Sequence, residues 1–321
     1  MSFSKSYDAT TTVLMDMLTY KRPHLSQTEA EFIDKYIMPM NPTEDSFGNF
    51  WIQIGADPNI LWSSHLDTVH HTDGRQTISL NKMGMITVNH QKTHEKTNCL
   101  GADCTAGVWL MCEMIKHEVE GLYIFHRDEE AGGTGSQWIA DNFPTMLKGI
   151  DFAIALDRKG TSDIITHQMG RTASDAFAES LAKILGGSFR ADDSGLFTDT
   201  ANYTNLVGEC SNISVGYYRN HGPMESLDLD FLIGLRDTLI TADFSTLVAE
   251  RQPGPREYED IEYYAEYKPR RNLATTFQDW ADNQEDELVE FIKDNPHSVA
   301  RFLTHNNFEI FDIEDYRDYL S

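Results

Sequence analysis

Seven His, Asp and Glu residues have the types and the order that a hydrolytic site with two metal ions needs. They are His65 and Asp67 in SSHLDTV, Asp103 in GADCTAG, Glu129 and Glu130 in RDEEAGGTGS, Asp157 in IALDRKG, and His221 in RNHGPMES. Imidazoles and carboxylates bind zinc and related divalent metals, which activate water for hydrolysis. Any one of these motifs arises readily by chance, whereas the ordered series does not.

Two metal ions that lie side by side need one shared carboxylate and about two further protein ligands each. Asp103 suits the shared position, because its Gly-flanked loop can project the carboxylate into the site. We assign His65, Asp103 and Asp157 to the first metal. We assign Asp103, Glu130 and His221 to the second.

Two further acidic residues are predicted to take part in catalysis without binding metal. Glu129 is the candidate general base, which takes a proton from water and later gives it to the leaving amine. Asp67 is expected to accept the ring N–H of His65, or otherwise to steady that imidazole, as carboxylates behind metal-bound histidines do. Such a mechanism needs no covalent intermediate.

Several neighbouring residues are alternatives to these assignments. Cys104 could supply a thiolate, although the carboxylate and imidazole set is complete without it. The possible substitutes for Asp157 and His221 are Asp151, Asp163 and His167. His70 and His71 lie in a polar loop and are expected to line the mouth of the site or face solvent. Arg158 and Lys159 could receive a substrate carboxylate or form a solvated basic loop.

Apolar runs that are typical of buried strands precede most of the candidate ligands. Such runs occupy residues 60–65, 122–126 and 150–156, and residues 107–119 have the apolar spacing of a helix that packs on a sheet. Strands that alternate with helices predict a mostly parallel sheet with helices on both faces. Ligand sites of such sheets form at the carboxyl ends of the strands, where these residues lie.

The motif series resembles a known family of enzymes. The series is similar to that of the co-catalytic zinc aminopeptidases and carboxypeptidases of the M28 and M20 type. Its motifs are, in order, H-x-D, G-A-D-x-x-A-G, E-E-x-G-x-x-G-S, a strand-end Asp and H-x-P-x-E/D. The resemblance covers about residues 5–250. It implies a three-layer α/β/α fold and two Zn²⁺ ions bridged by Asp103, with Co²⁺ or Mn²⁺ as substitutes. It also implies a cis peptide just after the bridge, at Asp103–Cys104.

The interval between Asp157 and His221 distinguishes the two subfamilies. M20 enzymes insert a dimerisation domain there, and about 60 residues cannot hold one and also complete the sheet. The chain is therefore closer to the single-domain M28 type. We expect a catalytic domain at residues 1–250. Residues 251–321 are expected to form an acidic, helical extension packed on or near it.

The resemblance implies a hydrolase that cleaves a terminal peptide or amide bond, most simply an aminopeptidase. Carboxypeptidase, dipeptidase and N-acyl-amino-acid deacylase activities are the alternatives within that class. A one-zinc acyl transferase similar to the glutaminyl cyclases is a related alternative. An alternative from another class is a metal-containing binding or assembly module that acts through the acidic tail.

Composition excludes several other classes. The chain has 321 residues, 40% of them hydrophobic, which suffices for a full core. A net charge of −25 argues against a nucleic-acid partner, because phosphate binding needs a basic face. Four cysteines without a C-x-x-C pair indicate reduced thiols and a cytoplasmic protein. No export signal and no membrane span are expected.

Overall fold

An eight-stranded mixed sheet organises the computed structural model, which describes residues 9–91 and 97–256. Most of the expected acidic extension, residues 251–321, lies outside the described residues. Its helical character and its packing therefore stay predictions.

The strands of the described residues are β1 (Tyr20–Lys21), β2 (Thr43–Glu44), β3 (Phe50–Ile54), β4 (Ile60–His65), β5 (Gly74–Arg75), β6 (Ile78–Leu80), β7 (Met85–Val88), β8 (Gly121–His126), β9 (Phe152–Arg158), β10 (Asp163–Ile165), β11 (Arg190–Asp192), β12 (Glu209–Ser214), β13 (Tyr217–Tyr218) and β14 (Ser226–Asp228). The α-helices are α1 (Ala9–Met17), α2 (Gln27–Tyr36), α3 (Ala102–Lys116), α4 (Thr134–Asn142), α5 (Asp175–Leu185) and α6 (Leu229–Thr241). Short 3₁₀ turns cover Met38–Met40, Pro144–Leu147, Asp199–Tyr203 and Phe244–Thr246.

The main sheet has the strand order β11-β10-β12-β9-β4-β8-β3-β2. Its four central strands, β12, β9, β4 and β8, are parallel to one another. Strands β10 and β3 are antiparallel to the central strands that they pair with. The predicted parallel sheet is therefore confirmed for the centre, and the outer strands make the whole sheet mixed.

Side chains of the central strands alternate between two apolar layers. Trp62 and Ile154 belong to one cluster, which includes residues of α1, α3, α5 and α6. Leu61 and Ala153 point the other way, into a second cluster with residues of α4. Because successive strand residues face opposite sides, both faces of the sheet are buried. The predicted three-layer α/β/α fold is confirmed.

The chain leaves the main sheet before the last motif. The run NISVGYY at residues 212–218 predicts one strand, but β12 ends at Ser214 and β13 belongs to a separate sheet with the order β13-β14-β7-β6. Gly216 makes the break, with φ of 92° and its backbone close to the ring of Phe231. A left-handed backbone of this kind favours glycine. His221 consequently lies in the turn between β13 and β14.

Two helices are shorter than the sequence indicated. The pattern RTASDAFAESLAKIL predicts a helix from Arg171, but the helix begins at Asp175, because the Ser174 hydroxyl accepts the N–H of Phe177 and caps it there. The pattern of residues 227–250 predicts a second helix, which ends at Thr241. None of the helices in the described parts of the chain is both long and apolar enough to cross a membrane.

Candidate metal centre

The candidate ligands lie at one edge of the main sheet. His65 is the last residue of β4, and Asp157 is the penultimate residue of β9, the parallel neighbour of β4. Glu130 follows β8 in a loop, and Asp103 stands at the start of α3. The expected cis peptide is present at Asp103–Cys104.

The first ligand group surrounds the ring of His65. Its Nε2 lies 3.1 Å from Oδ1 of Asp103 and 3.4 Å from Oδ1 of Asp157. Its Nδ1 donates to the main-chain carbonyl of Asp67 at 3.1 Å. That bond places the ring proton on Nδ1 and directs Nε2 toward the carboxylates. The imidazole is completely buried, with 0% exposure.

The second ligand group surrounds the ring of His221. Its Nε2 lies 3.2 Å from Oδ2 of Asp103 and 3.2 Å from Oε2 of Glu130. Unlike His65, this side chain is 47% exposed, and its backbone has φ of 63°. The turn that carries His221 therefore approaches the sheet edge from the solvent side.

Asp103 joins the two groups, because each of its carboxylate oxygens faces a different histidine. Two other ligand oxygens, Oδ1 of Asp157 and Oε1 of Glu130, are buried without a hydrogen-bond donor in the described structure. Leaving a buried acceptor unpaired costs about 1–3 kcal/mol. Divalent cations fit this arrangement, because they would satisfy these oxygens and the imidazole nitrogens together. The described residues thus contain candidate metal-ligand groups.

The carboxylates and imidazoles shift one another's protonation. Burial opposes the charged form of Asp103, but hydrogen bonds from His221 and His65 outweigh it and lower the pKa of Asp103. Hydrogen bonds to Asp103 and Glu130 raise the pKa of His221 to about 11. Burial alone would lower the pKa of His65, yet the negative charge of Asp157 and hydrogen bonds to Asp103 and Asp157 together raise that pKa. A bound metal would replace these imidazole protons.

Glu129 faces the same space without joining either ligand group. Its Oε2 lies 4.0 Å from Nε2 of His65, and the side chain is 12% exposed. Burial raises the pKa of Glu129 well above its usual value, and the charge of Asp157 adds to the effect. A carboxylate with a raised pKa suits a general base that must also release its proton.

Asp67 acts on the glutamates more than on the histidine. Its carboxylate accepts the backbone N–H groups of Glu129 and Glu130, each at 3.2 Å. The expected contact with the ring of His65 comes from the main-chain carbonyl of Asp67, whereas the nearer carboxylate oxygen is 3.6 Å from Nδ1. Asp67 therefore steadies the histidine through its backbone and the Glu129–Glu130 loop through its side chain.

Two hydrogen bonds to the carboxylates of candidate ligands were not anticipated from the sequence. The Thr198 hydroxyl donates to Oδ2 of Asp157 at 2.8 Å, and the Asn220 amide donates to Oδ2 of Asp103 at 3.1 Å. Asn220 precedes His221 in RNHGPMES, so its position next to a candidate ligand was the available signal. Thr198 stands 41 residues from Asp157, and no local pattern marks it.

The alternative ligands bond elsewhere. Asp151 accepts from Asn59, and Asp163 accepts from Arg158. The Nδ1 of His167 is bonded to the hydroxyl of the adjacent Thr166.

Cys104 does reach the first group, since its sulfur lies within 4.8 Å of ligand atoms of His65 and Asp157. Its thiol donates to the carbonyl of Leu156 at 3.2 Å, and burial raises the pKa of Cys104 well above its usual value. The neutral thiol is a poorer metal ligand than the carboxylates.

The expectation for His70 was wrong. His70 is buried, its Nδ1 is bonded to the hydroxyl of Thr68, and its Nε2 donates to the carbonyl of Cys99 at 3.1 Å. Burial lowers the pKa of His70 to about 3, so the ring is neutral. His71 is exposed, as expected.

Arg158 is not a free cation in a solvated loop. Its guanidinium donates to Asp163 at 3.2 Å and to the Ser194 hydroxyl at 2.8 Å. These bonds, together with a half-buried position, leave Arg158 less suited to receive a substrate carboxylate.

No protein-family model matches this sequence, and no curated protein matches it. Solved structures are similar in fold. Aminopeptidase PepT from Bacillus cereus is 14% identical, with 72% of this chain and 96% of that chain covered and a TM-score of 0.55. A tripeptidase from Staphylococcus aureus is 13% identical, with 72% and 96% covered and a TM-score of 0.57. The TET1 peptidase from Pyrococcus horikoshii is 16% identical, with 72% and 97% covered and a TM-score of 0.51. At these identities the likeness establishes the fold alone, and it agrees with the predicted α/β architecture.

Proposed function

We propose that this chain is a two-metal exopeptidase, and that it acts as an aminopeptidase. One observation carries the proposal: the two oxygens of Asp103 face two separate histidines, each of which also meets a further carboxylate. A structural zinc site needs a single closed set of ligands, whereas this arrangement provides two sets that share one residue. Glu129, whose Oε2 lies 4.0 Å from Nε2 of His65, supplies the proton acceptor that hydrolysis requires.

In this proposal His65, Asp103 and Asp157 hold one metal, and Asp103, Glu130 and His221 hold the other. Zinc is the first choice, and Co²⁺ or Mn²⁺ would fit the same donors. When bound, the ions would polarise the scissile carbonyl and lower the pKa of water.

The chain's own residues then orient the reacting side chains and move protons. Glu129 takes a proton from the attacking water and delivers it to the leaving amine. Asp67 holds the main chain of Glu129 and Glu130, so the two neighbouring carboxylates keep different directions. The carbonyl of Asp67 keeps the ring of His65 in one tautomer.

Aminopeptidase activity is preferred over carboxypeptidase, dipeptidase and deacylase activities for two reasons. Solved structures with this fold include proteins described as an aminopeptidase and a tripeptidase. In addition, Arg158 is already bonded to Asp163 and Ser194, which leaves Lys159 as the remaining candidate of that pair for receiving a substrate carboxylate. Peptides with a free amino end are the proposed substrates.

We also propose that residues 1–250 form an M28-type catalytic domain and that residues 251–321 are an acidic extension of it. A cytoplasmic location is part of the same proposal, and it is supported by the four cysteines, all of which are free and buried.

The variant Glu129→Gln tests the proposal. Metal analysis should find close to two ions per chain in both wild type and variant, because Glu129 holds neither ion. Hydrolysis of aminoacyl amides should fall about 10²- to 10⁴-fold, the usual contribution of a general base. Glu179→Gln, on the exposed face of α5, is the matched control and should hydrolyse at the wild-type rate.

A panel of aminoacyl amides, dipeptides and N-acyl amino acids, each assayed with and without a chelator, separates the activities. Cleavage of aminoacyl amides that is lost with the chelator supports the proposal. Exclusive cleavage of N-acyl amino acids would replace it with a deacylase. Wild-type turnover in Glu129→Gln, or a wild-type protein that binds no metal, would contradict it.

A further inference from the structure

Glu225 makes four hydrogen bonds to the chain around Asp103. It lies in the turn between β13 and β14, four residues after His221, and is 1% exposed. Its Oε2 accepts the backbone N–H groups of Leu100 and Gly101 at 2.9 and 3.0 Å. Its Oε1 accepts those of Ala102 and Asp103 at 2.8 and 3.2 Å.

These four bonds join two loops that are distant in sequence. Residues 100–103 lead into the first turn of α3. The main-chain N–H groups of a first turn have no carbonyl partner within the helix and can therefore bind an anion. A buried side chain that accepts four main-chain N–H groups is a firm attachment, because losing it would leave buried donors unpaired. The turn with Glu225 is thereby held against the segment that ends at Asp103.

The same turn contacts the Asp103 carboxylate directly. Asn220 donates to Oδ2 of Asp103, and Nε2 of His221 lies 3.2 Å from that oxygen. His221 does not belong to a strand. Its distance from Asp103 therefore depends on how the turn between β13 and β14 is attached to residues 100–103. His65 and Asp157, in contrast, stand on hydrogen-bonded neighbouring strands that do not involve Glu225.

We propose that Glu225 is a positioning residue that sets the metal affinity of the second ligand group, Asp103, Glu130 and His221. This inference rests on the proposed two-metal function and assigns a role to a residue outside its ligand set. Replacing the carboxylate by an amide puts a donor where two N–H groups need an acceptor. The turn must then shift, and His221 moves with it, while His65 and Asp157 of the first ligand group keep their places on paired strands.

Titration of metal-depleted protein with Co²⁺, followed by its visible absorption, tests the proposal. Wild type should bind two equivalents. Glu225→Gln should bind the first within about threefold of the wild-type affinity and the second about 10- to 100-fold more weakly, the usual cost of removing a residue behind the ligands. His221→Ala identifies the second group, so the single-equivalent spectrum of Glu225→Gln should match that of His221→Ala.

Glu209 offers a matched control at the other end of the sheet. It is also fully buried, and it accepts the backbone N–H groups of Ser174, Glu250 and Arg251. It pairs in register with Phe152, the first residue of β9, whereas Asp157 lies near the last. Glu209→Gln should lower the free energy of unfolding and leave both Co²⁺ affinities unchanged.

Excess metal should restore the activity of Glu225→Gln, because the variant loses affinity for the second metal ion and no group that takes part in the reaction. Its kcat at saturating Co²⁺ should return to within about threefold of wild type, whereas that of Glu129→Gln should not. Purely structural damage would lower kcat at every metal concentration.

The inference would be overturned if both Co²⁺ affinities of Glu225→Gln matched those of wild type, or if both were weakened by the same factor. If Glu225→Gln does not fold, Glu225→Asp replaces it, because the shorter carboxylate keeps its charge but withdraws from the N–H groups. It must show the same selective loss of the second equivalent. A wild-type protein that binds fewer than two equivalents would instead refute the proposed function, and the inference with it.

Discussion

The two candidate ligand groups share Asp103 but are built in different ways. His65 and Asp157 stand at the ends of paired parallel strands, and both are enclosed by the protein. Glu130 and His221 stand in loops, and the side chain of His221 is 47% exposed. The sheet itself holds the first group, whereas the second depends on contacts between loops.

This difference predicts unequal sites. Ligands that are fixed before the metal arrives lose little freedom when they bind it, so the first group should bind the metal more tightly. Loop-borne ligands must be ordered by other residues, such as Asp67 for Glu130 and, in our proposal, Glu225 for His221. The second ion is therefore expected to be the one that dilution or a weak chelator removes first.

The largest expected effect separates the two histidines. His65→Ala should lower turnover by more than about 100-fold, because a direct ligand contributes more than the residues behind it. In the metal-free protein it should also lower the free energy of unfolding by about 3–5 kcal/mol, because buried carboxylates lose their partner. His221→Ala should lower the free energy of unfolding less, because its site is open to water.

Turnover at fixed metal concentration and urea unfolding with a chelator measure these effects. His71→Ala, an exposed histidine nearby, should match wild type in both. Equal losses of stability in His65→Ala and His221→Ala would end the distinction between a sheet-held and a loop-held group.

The second prediction concerns pH in the metal-free protein. The pKa of His221 is raised to about 11 by Asp103 and Glu130, whereas an unfolded histidine has a pKa of about 6.5. Because the folded value is higher, the protonated imidazole stabilises the fold fully below about pH 6.5, and this contribution is lost as the pH rises toward 11. The stability advantage of wild type over His221→Ala should therefore shrink steadily above about pH 7.

Urea unfolding at several pH values, with a chelator present, measures that advantage. Saturating zinc should remove the pH dependence above neutrality, because metal-bound imidazole carries no proton on the bound nitrogen. An advantage that grows with pH would show that His221 is neutral in the metal-free protein.

The contrast between the groups also explains what the sequence could predict. His65 and Asp157 follow apolar runs that identify strands, and parallel strands bring their carboxyl ends to one edge. His221 was identified by its motif alone, since it lies beyond the predicted strand at residues 212–218, in the turn between β13 and β14. Local patterns sufficed for residues whose positions the sheet determines.

The residues behind the ligands could not be predicted in the same way. Glu225 ends the motif H-x-P-x-E/D, but its main-chain partners lie 122 to 125 residues away and carry no side-chain signature, so the motif did not indicate what it binds. His70 was placed wrongly because its loop has a polar sequence, while its ring satisfies buried groups of Thr68 and Cys99. Such contacts follow from the folded path of the chain.

A third prediction concerns a residue that supports the first ligand group, as we propose that Glu225 supports the second. Thr198→Val keeps the shape of the side chain but removes the hydroxyl that donates to Oδ2 of Asp157 at 2.8 Å. The tighter Co²⁺ affinity should fall about 10-fold, the lower end of the range for residues behind ligands. Thr204→Val, a buried threonine bonded to the carbonyl of Ala201, is the control. Weakening of the second equivalent instead would reverse our assignment of Asp157.

The variant with the smallest expected effect tests whether the main chain at Asp157 needs a hydrogen bond from outside the main sheet. The buried Tyr217 hydroxyl donates to the backbone carbonyl of Asp157 at 2.7 Å. Tyr217→Phe should lower the free energy of unfolding by about 1 kcal/mol, the net value of one hydrogen bond, relative to Tyr218→Phe. Both Co²⁺ affinities should stay at the wild-type level, because β9 is paired with β4 and β12 on its two sides. A loss of the tighter affinity in Tyr217→Phe would mean that strand pairing alone does not hold Asp157, and that the first group also depends on contacts from the β13–β14 region.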